Sequence, residues 1–396
     1  MNAIVHLKKN IKSRLLKGHP WVYDNEIERV DGDPEPGEIV SLHWGSVFVG
    51  KGYYNPRSRI RVRILSRKDE NIDRAFVAVK IAKALAYRKQ IFPPAETSFR
   101  VIFGEADGLP GLIVDRFADY LVMQVTTLGM HTLRADIISV LTETFQPHGI
   151  FARDDEKSAR KEGFIPAGGW VHGTGPELLC FEMNGLRFLA DTKGQKTGFF
   201  LDQRLNAAAV RNHADGKTVL DAFAYTGNFG THALQGNARH VTFIDSSQRA
   251  LDVLEETLAL NRFDKGRYDL ILADTFDYLR KLDKTGTLFD FTIIDPPSLA
   301  KARDTKQQAV RGYRELNLRA MKITRSGGLL STSSCTQIIY EEDFKKIIYH
   351  AAENTGKLIT VVYKGMQSPD HPVLLNILET EYLKCYLLRV ETIKGA

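Results

Sequence analysis

Cysteine is scarce in this chain of 396 residues: Cys180, Cys335 and Cys385 stand singly, with no Cys-x-x-Cys spacing. That excludes a disulfide framework and a cysteine zinc site, and makes a reducing compartment the expectation. No apolar run approaches the ~20 residues of a spanning helix. The opening MNAIVHLKKN also lacks the apolar core of a signal peptide. A soluble, cytoplasmic protein without membrane attachment is therefore expected. Missing too is a Gly-x-Gly-x-x-Gly turn of the kind that seats a pyrophosphate on a helix N-terminus, which argues against a nicotinamide cofactor.

What is present is ordinary globular composition, 43% hydrophobic and 26% charged, long enough for two or three domains. Lys plus Arg exceed Asp plus Glu by 54 to 48, a net +6 that permits an anionic partner. The excess is local: Lys8, Lys9, Lys12, Arg14 and Lys17 crowd the start, and Arg57, Arg59, Arg61, Arg63 and Arg67 follow Tyr53 and Tyr54. As a strand, RIRVRIL puts Arg59, Arg61 and Arg63 on one face and Ile60, Val62 and Ile64 on the other. That face reads equally well as a phosphate-contacting stripe or as the solvated outside of a small β domain.

Residues 1–71 read as short strands broken by Gly and Pro, a β-rich module. Residues 72–177 form a central α+β domain. It opens with a helix from Ile72 to about Gln90, continues as a hairpin through FRVIFGEADGLPGLIVDRFADYLVMQVTT, and adds a helix from His131 to Phe145 and a strand near Gly149 to Arg153. Glu156 to Gly175, charged and glycine-rich, reads as a linker or mobile loop. From 178 to 396, strand-like runs (Val219–Asp221, Val241–Asp245, Leu270–Ala273, Phe291–Asp295, Gly328–Thr332, Leu358–Tyr363, Tyr382–Val390) alternate with helical stretches. This predicts an α/β domain with a mostly parallel sheet, whose ligands bind at the carboxyl ends of its strands.

Those ends carry acids. Asp221 closes the first run in VLDAFAYTGNFG, where Gly227 and Gly230 allow a tight turn. Asp245 closes the second, at the distance where a carboxylate meets ribose hydroxyls, and Asp274 the third, beside Thr275 and Phe276. Each acid alone reads as a helix N-cap. Together, with no phosphate loop, they fit a nucleoside without phosphate, and S-adenosylmethionine is the candidate.

The fourth run leaves the sheet at Asp295-Pro296-Pro297-Ser298, where two prolines hold carbonyls rigidly, a turn suited to a base flipped from its stack. The fifth places Cys335 just past its end, on the same rim. A thiolate there can attack carbon 6 of a cytosine and make carbon 5 nucleophilic toward a sulfonium methyl. A buried free cysteine is the plain alternative, and is the fate expected for Cys180 and Cys385.

These motifs together resemble the bacterial 23S rRNA large-subunit methyltransferases of the RlmI type. The stretches that carry the resemblance are HPWVYDNEI, GEADGLPGLIVDRFADYLVMQ, KTGFFLDQR, VLDAFAYTGNFG, FTIIDPPS, RGYRELNLRAMKI, STSSCTQ and DHPVL. The resemblance implies an N-terminal RNA-binding PUA domain, a central insert, and a C-terminal class I (Rossmann-like) methyltransferase domain. Phe200, Asp202, Gln203 and Arg204 are then expected to line the methyl-donor pocket, with Asp221, Asp245, Asp274 and Asp295 at donor-binding positions. Phe223, Tyr225, Thr226, Gly227, Ser246 and Thr275 flank these acids, and Cys335 is the nucleophile, on the same rim as Asp295. 23S rRNA or a large-subunit particle is the implied partner, and a homodimer is compatible with the resemblance. One departure stands out: cytosine methyltransferases of the Nol1/Nop2/Sun type carry a second cysteine where this chain has Ser298. Guanine nitrogen 7 as target, or a noncatalytic RNA-binding assembly factor, remain open beside cytosine carbon 5.

Overall fold

The computed structural model describes residues 3–10, 13–300 and 305–393. Lys12, counted above in the basic cluster, lies outside them. The chain divides into two compact units, one made of 1–182, 190–199 and 369–380, the other of 183–189, 200–368 and 381–396.

The first unit begins with β1 (Ile4–Leu7), α1 (Ser13–Leu16), β2 (Trp21–Tyr23), β3 (Ile27–Asp31), β4 (Ile39–Trp44), β5 (Val47–Tyr54) and β6 (Ile60–Ser66). These strands make one sheet in the order β2-β6-β5-β4-β1-β3, over a core that includes Val5, Leu15, Val40 and Val62. Next come α2 (Arg74–Ile91), β7 (Ser98–Phe103), β8 (Leu112–Phe117), β9 (Tyr120–Val125), α3 (Leu128–Thr132), α4 (Arg134–Phe145), β10 (Gly149–Arg153), α5 (Glu156–Glu162) and β11 (Gly168–Gly173). Here the sheet order is β11-β10-β9-β8-β7, and α2 and α4 contribute Phe76, Ile81, Ile137 and Leu141 to its core. The hairpin and both long helices lie where the sequence pattern puts them.

Two expectations are corrected in this unit. Glu156 to Gly175 is ordered secondary structure rather than a linker. Asp155 caps α5 by accepting from Ser158 N at 2.7 Å, Gly163 ends it in the left-handed region, and β11 pairs antiparallel with β10. The arginine stripe is also not uniformly solvated, because Arg63 is buried and pairs with Glu162 at 3.2 Å. Arg14 is likewise engaged, both of its Nη2 contacts going to the Glu26 carboxylate at 2.9 and 2.7 Å. Lys8, Lys9, Lys17, Arg57 and Arg59 are the basic residues of these clusters left exposed with Arg67, whose guanidinium donates to His19 O and Val49 O.

A buried ionic lattice ties residues distant in sequence together in the first unit. Arg88, 1% exposed, donates to both oxygens of Asp107 (2.5 and 2.8 Å) and to Asp370 O (2.7 Å). Arg100 grips Asp115 through Nε and Nη2 at 2.6 and 2.8 Å, and its backbone N–H donates to Asp370 Oδ2 at 2.8 Å. The DHPVL motif is thus an anchor for the 369–380 segment.

The chain then runs through β12 (Leu178–Met183) and β13 (Leu186–Asp191). Along β12 the side chains alternate, with Leu179, Phe181 and Met183 buried and Cys180 exposed with Glu182. Cys180 is therefore not the core cysteine expected from its apolar neighbours. The second unit continues with α6 (Arg204–Arg211), β14 (Thr218–Ala222), α7 (Asn228–Gln235), β15 (His240–Asp245), α8 (Gln248–Leu260), β16 (Tyr268–Leu272), α9 (Thr275–Thr285), β17 (Phe289–Ile294), α10 (Lys306–Ile323), β18 (Thr324–Ser334), α11 (Glu341–Thr355), β19 (Lys357–Met366) and β20 (Lys384–Thr392). Its seven strands lie in the order β16-β15-β14-β17-β18-β20-β19; the first five are parallel and β20 runs antiparallel between β18 and β19. All seven runs read from the sequence are strands. The order reverses direction at β14/β17, where an open α/β sheet leaves a crevice for ligands.

Replacing Asp115 by Ala removes the carboxylate that accepts from Arg100 Nε and Nη2, and also the acceptor of Thr197 Oγ1 (2.5 Å). The expected loss is ~3–5 kcal/mol of stability by chemical denaturation; a loss within error of zero would show that the pair carries no weight.

Candidate active site

Asp221, the penultimate residue of β14, is 1% exposed and accepts from Gly230 N at 2.8 Å. Burial pushes its carboxyl up to about 8, and the nearby charges of Asp295 and Asp245 push the same way against the Gly230 hydrogen bond. The turn that follows is strained: Phe223 and Tyr225 hold φ of 66° and 48°, a region L-residues seldom occupy. Such strain persists where surroundings over-determine it and clusters at functional sites. Gly227 (φ 87°) begins α7, and a Cβ there would lie 2.1 Å from Leu254 Cδ1. A Cβ on Gly230 would lie 2.1 Å from the Phe243 ring. Both glycines are thus required by close approach.

Asp245 accepts from Tyr225 N (2.8 Å) and Ser247 N (2.9 Å), so it fixes the strained turn from the end of β15. Ser246 beside it is exposed. Asp274 takes the role the isolated residue suggested: exposed, it caps α9 by accepting from Asp277 N at 3.0 Å, with Thr275 buried behind it. Phe276 meets Phe223 edge to face at 5.9 Å, and Phe200 meets Tyr225 at 5.3 Å.

Gln203 donates from Nε2 to Asp295 Oδ1 at 2.8 Å and accepts from Asn206 Nδ2 at 2.5 Å. Asn206 in turn accepts from Tyr363 Oη at 3.2 Å. Asp202 accepts from Tyr382 Oη at 2.5 Å, and its carbonyl accepts from Ser368 N at 2.8 Å. Arg204 is buried on α6, and its carbonyl accepts from Asn184 Nδ2. Within the 200–204 stretch, Gln203 is thus directed at Asp295.

Sequence reasoning passed over Asn206, Tyr363 and Tyr382, and also His232. Burial lowers His232 to about 4, with Arg211 and Arg204 assisting, so its ring is neutral. It bonds Asn228 O at 2.7 Å and Asn184 Nδ2 at 3.0 Å, which places the proton on Nδ1 and steadies the start of α7. At this helix start the buried Thr226 Oγ1 and both side-chain polar atoms of Asn228 have no hydrogen-bond partner among the described residues. Orphaned donors and acceptors beside a strained turn and three carboxylates suit a polar, partly cationic nucleoside. Among the described residues no group of three or more His, Cys, Asp or Glu is placed to hold a metal ion.

Across the β17/β18 rim, Cys335 is half-buried with Sγ 3.9 Å from Pro296 O. Ser298 Oγ and Tyr313 Oη both meet Thr336 Oγ1, at 3.1 and 2.7 Å, locking the Asp295–Ser298 turn to the segment after Cys335. Cys385 is buried, and its thiol is pushed up to about 12 by that burial.

A raised carboxyl has a consequence for stability. Unfolded, Asp221 ionises near 3.8; folded, it keeps its proton to about 8. Its contribution is therefore full below 3.8 and is lost as pH rises to 8. Asp221→Asn is expected to lose less thermal stability than the parent between pH 5 and pH 8; identical slopes of melting temperature against pH would contradict the raised value.

Residues 5–67 match the PUA-like domain family, and residues 160–361 match the S-adenosylmethionine-dependent methyltransferase family. A ribosomal RNA large subunit methyltransferase I from Vibrio vulnificus is 36% identical over 397 residues, covering 98% of this chain and all of that one. Its counterpart from Cronobacter sakazakii is 35% identical over 396 residues with the same coverage. Among solved structures, a putative methyltransferase from Streptococcus mutans superposes with a TM-score of 0.84 at 21% identity, over 98% of this chain and 100% of that one. Another putative methyltransferase, complexed with SAH, gives 0.83 at 21% identity, over 98% and 99%. The fold is thus shared nearly end to end, and the chain belongs to the ribosomal RNA large subunit methyltransferase I family, S-adenosylmethionine-dependent enzymes that join a PUA-like domain to a methyltransferase domain.

Proposed function

We propose that this S-adenosylmethionine-dependent methyltransferase modifies carbon 5 of a cytosine in 23S rRNA, with Cys335 as covalent nucleophile. The observation that carries the reading is the position of Cys335: a half-exposed thiol against the Pro296 carbonyl, on the strand end next to Asp295. The relatives' printed names supply the large-subunit rRNA, and the PUA-like module, with exposed Lys8, Lys9 and Lys17, supplies a surface for its phosphates.

Asp221, Asp245, Thr226, Gly227 and Asn228 would hold the methyl donor, with Phe200, Phe223 and Phe276 as apolar cover. Bound there, the donor supplies an electrophilic methyl on a sulfonium. Asp245 favours that cation, the cation in turn draws Asp221 toward its charged form, and the aromatic side chains exclude water. Gln203 orients Asp295, whose carboxylate is suited to accept from the exocyclic amine of the flipped base. The Cys335 thiolate bonds to carbon 6, and the π pair of the 5,6 double bond makes carbon 5 nucleophilic. Carbon 5 takes the methyl as the methyl–sulfur bond breaks with its electron pair left on sulfur; loss of the carbon 5 proton to a base then restores the double bond and expels the thiolate. Ser298, standing where a second cysteine would assist release, instead braces Thr336.

Cys335→Ala is expected to lower methyl transfer from methyl-tritiated donor to rRNA by on the order of 10³-fold or more, while donor affinity by calorimetry is unchanged. Full residual transfer would exclude the covalent route and favour a ring nitrogen such as guanine N7; absence of any transfer by the parent protein would favour an assembly factor. RNA affinity should fall with salt at a log–log slope of roughly −0.7 per phosphate contacted, and Lys8→Ala with Lys9→Ala should flatten it. A salt-independent affinity would point to a neutral metabolite as substrate.

A further inference from the structure

Strand β20 carries Lys384 directly opposite Ser334, the residue before Cys335. Lys384 is 4% exposed, and its Nζ donates to the carbonyl of Thr336, the residue after Cys335, and to Tyr382 O, both at 2.9 Å. A buried ammonium is costly unless charge and hydrogen bonds compensate it. The carboxylates acting on it are Glu381, Glu341 and Asp343. Of these, Glu341 pairs with Lys364 at 2.6 Å and Asp343 with Lys306 at 2.7 Å. From α10, Tyr313 faces the same turn as a neutral phenol: burial pushes it up to about 12, and Cys335, when ionised, adds to that.

We propose that Lys384 is a positioning residue that holds its ammonium beside Cys335 and thereby increases the fraction of that thiol present as thiolate at neutral pH. The S–H bond breaks with its electron pair left on Sγ; the proton goes to water, and Lys384 stays protonated throughout. Burial lowers the Lys384 amine to about 8, with Cys335 and the three carboxylates opposing the shift. The stabilisation therefore operates at pH 7 and is lost as pH rises through 8. The carbonyl bonds from Nζ serve a second purpose, since they pin the main chain on both sides of the rim and keep Sγ in place against Pro296. The inference deepens the nucleophilic reading of Cys335 and rests on it for its catalytic consequence.

The test is the pH dependence of iodoacetamide alkylation at Cys335, followed by mass spectrometry on full-length protein carrying Cys180→Ser. That change removes the exposed thiol, and Cys385 is sealed by burial. With Lys384 intact, the inflection is expected below the ordinary thiol value of ~8.5. Lys384→Met should raise it by roughly 1 unit or more and slow alkylation at pH 7 about tenfold, while Lys384→Arg should keep it low. The acidic limb of kcat for methyl transfer should move up by the same amount in Lys384→Met. An inflection at or above 8.5 with Lys384 intact overturns the proposal whether or not the variant folds, and so does an unchanged inflection in a folded Lys384→Met. Neither RNA nor donor enters the alkylation assay. Full activity of Cys335→Ala would thus remove the nucleophilic reading while leaving the thiol titration to decide the role of Lys384.

Discussion

Three carboxylates converge where the parallel strands of the second unit end, and the cost of crowding them shapes what surrounds them. Asp221 is buried so deeply, with Asp245 and Asp295 near, that it holds its proton to about 8. Neighbouring donors are recruited to relieve the crowding: the backbone N–H of Gly230 serves Asp221, those of Tyr225 and Ser247 serve Asp245, and the Gln203 side-chain amide serves Asp295. The left-handed Phe223 and Tyr225 follow from this. Tyr225 must present its N–H to Asp245 within a few residues of the end of β14, and the chain takes up an unfavourable φ to do so. A cationic ligand is the natural complement of such an arrangement, because it stabilises the charged form that the protein by itself disfavours.

Much of this is legible in the sequence. Strand ends are legible because an acid that closes an apolar run has nowhere to go but the rim, and Asp221, Asp245 and Asp295 lie there. The β18 end likewise brought Cys335 beside the Pro-Pro turn. Asp274 closes its run at the matching spacing, and its side chain also caps the first turn of α9.

The misreadings have physical causes. Alternation in RIRVRIL sorts side chains by face but is silent on what covers each face, and Glu162 covers Arg63 from α5. That helix was itself invisible, because seven residues give too little periodicity to separate from a charged loop. Cys180 sits among apolar neighbours, but it falls on the outward beat of β12. No motif marks Asn206, Tyr363 or Lys384. Their partners are 3, 157 and 48 residues away, and only helical spacing or strand register makes them neighbours. Asn206 alone left a trace, three residues after Gln203 on one helical face.

The place of β20 has a further bearing on how the protein comes into being on the ribosome. It follows β19 in the chain yet lies between β19 and β18 in the sheet. During synthesis, β18 therefore keeps an open edge, and β19 has no ladder to join, until the 384–392 stretch has left the exit tunnel and slid into the gap. The insertion that closes the sheet is the same event that sets Lys384 opposite Ser334 and its Nζ on the Thr336 carbonyl. A nascent chain that stops short of this stretch therefore has the cysteine but not Lys384, so assembly of the rim waits for β20.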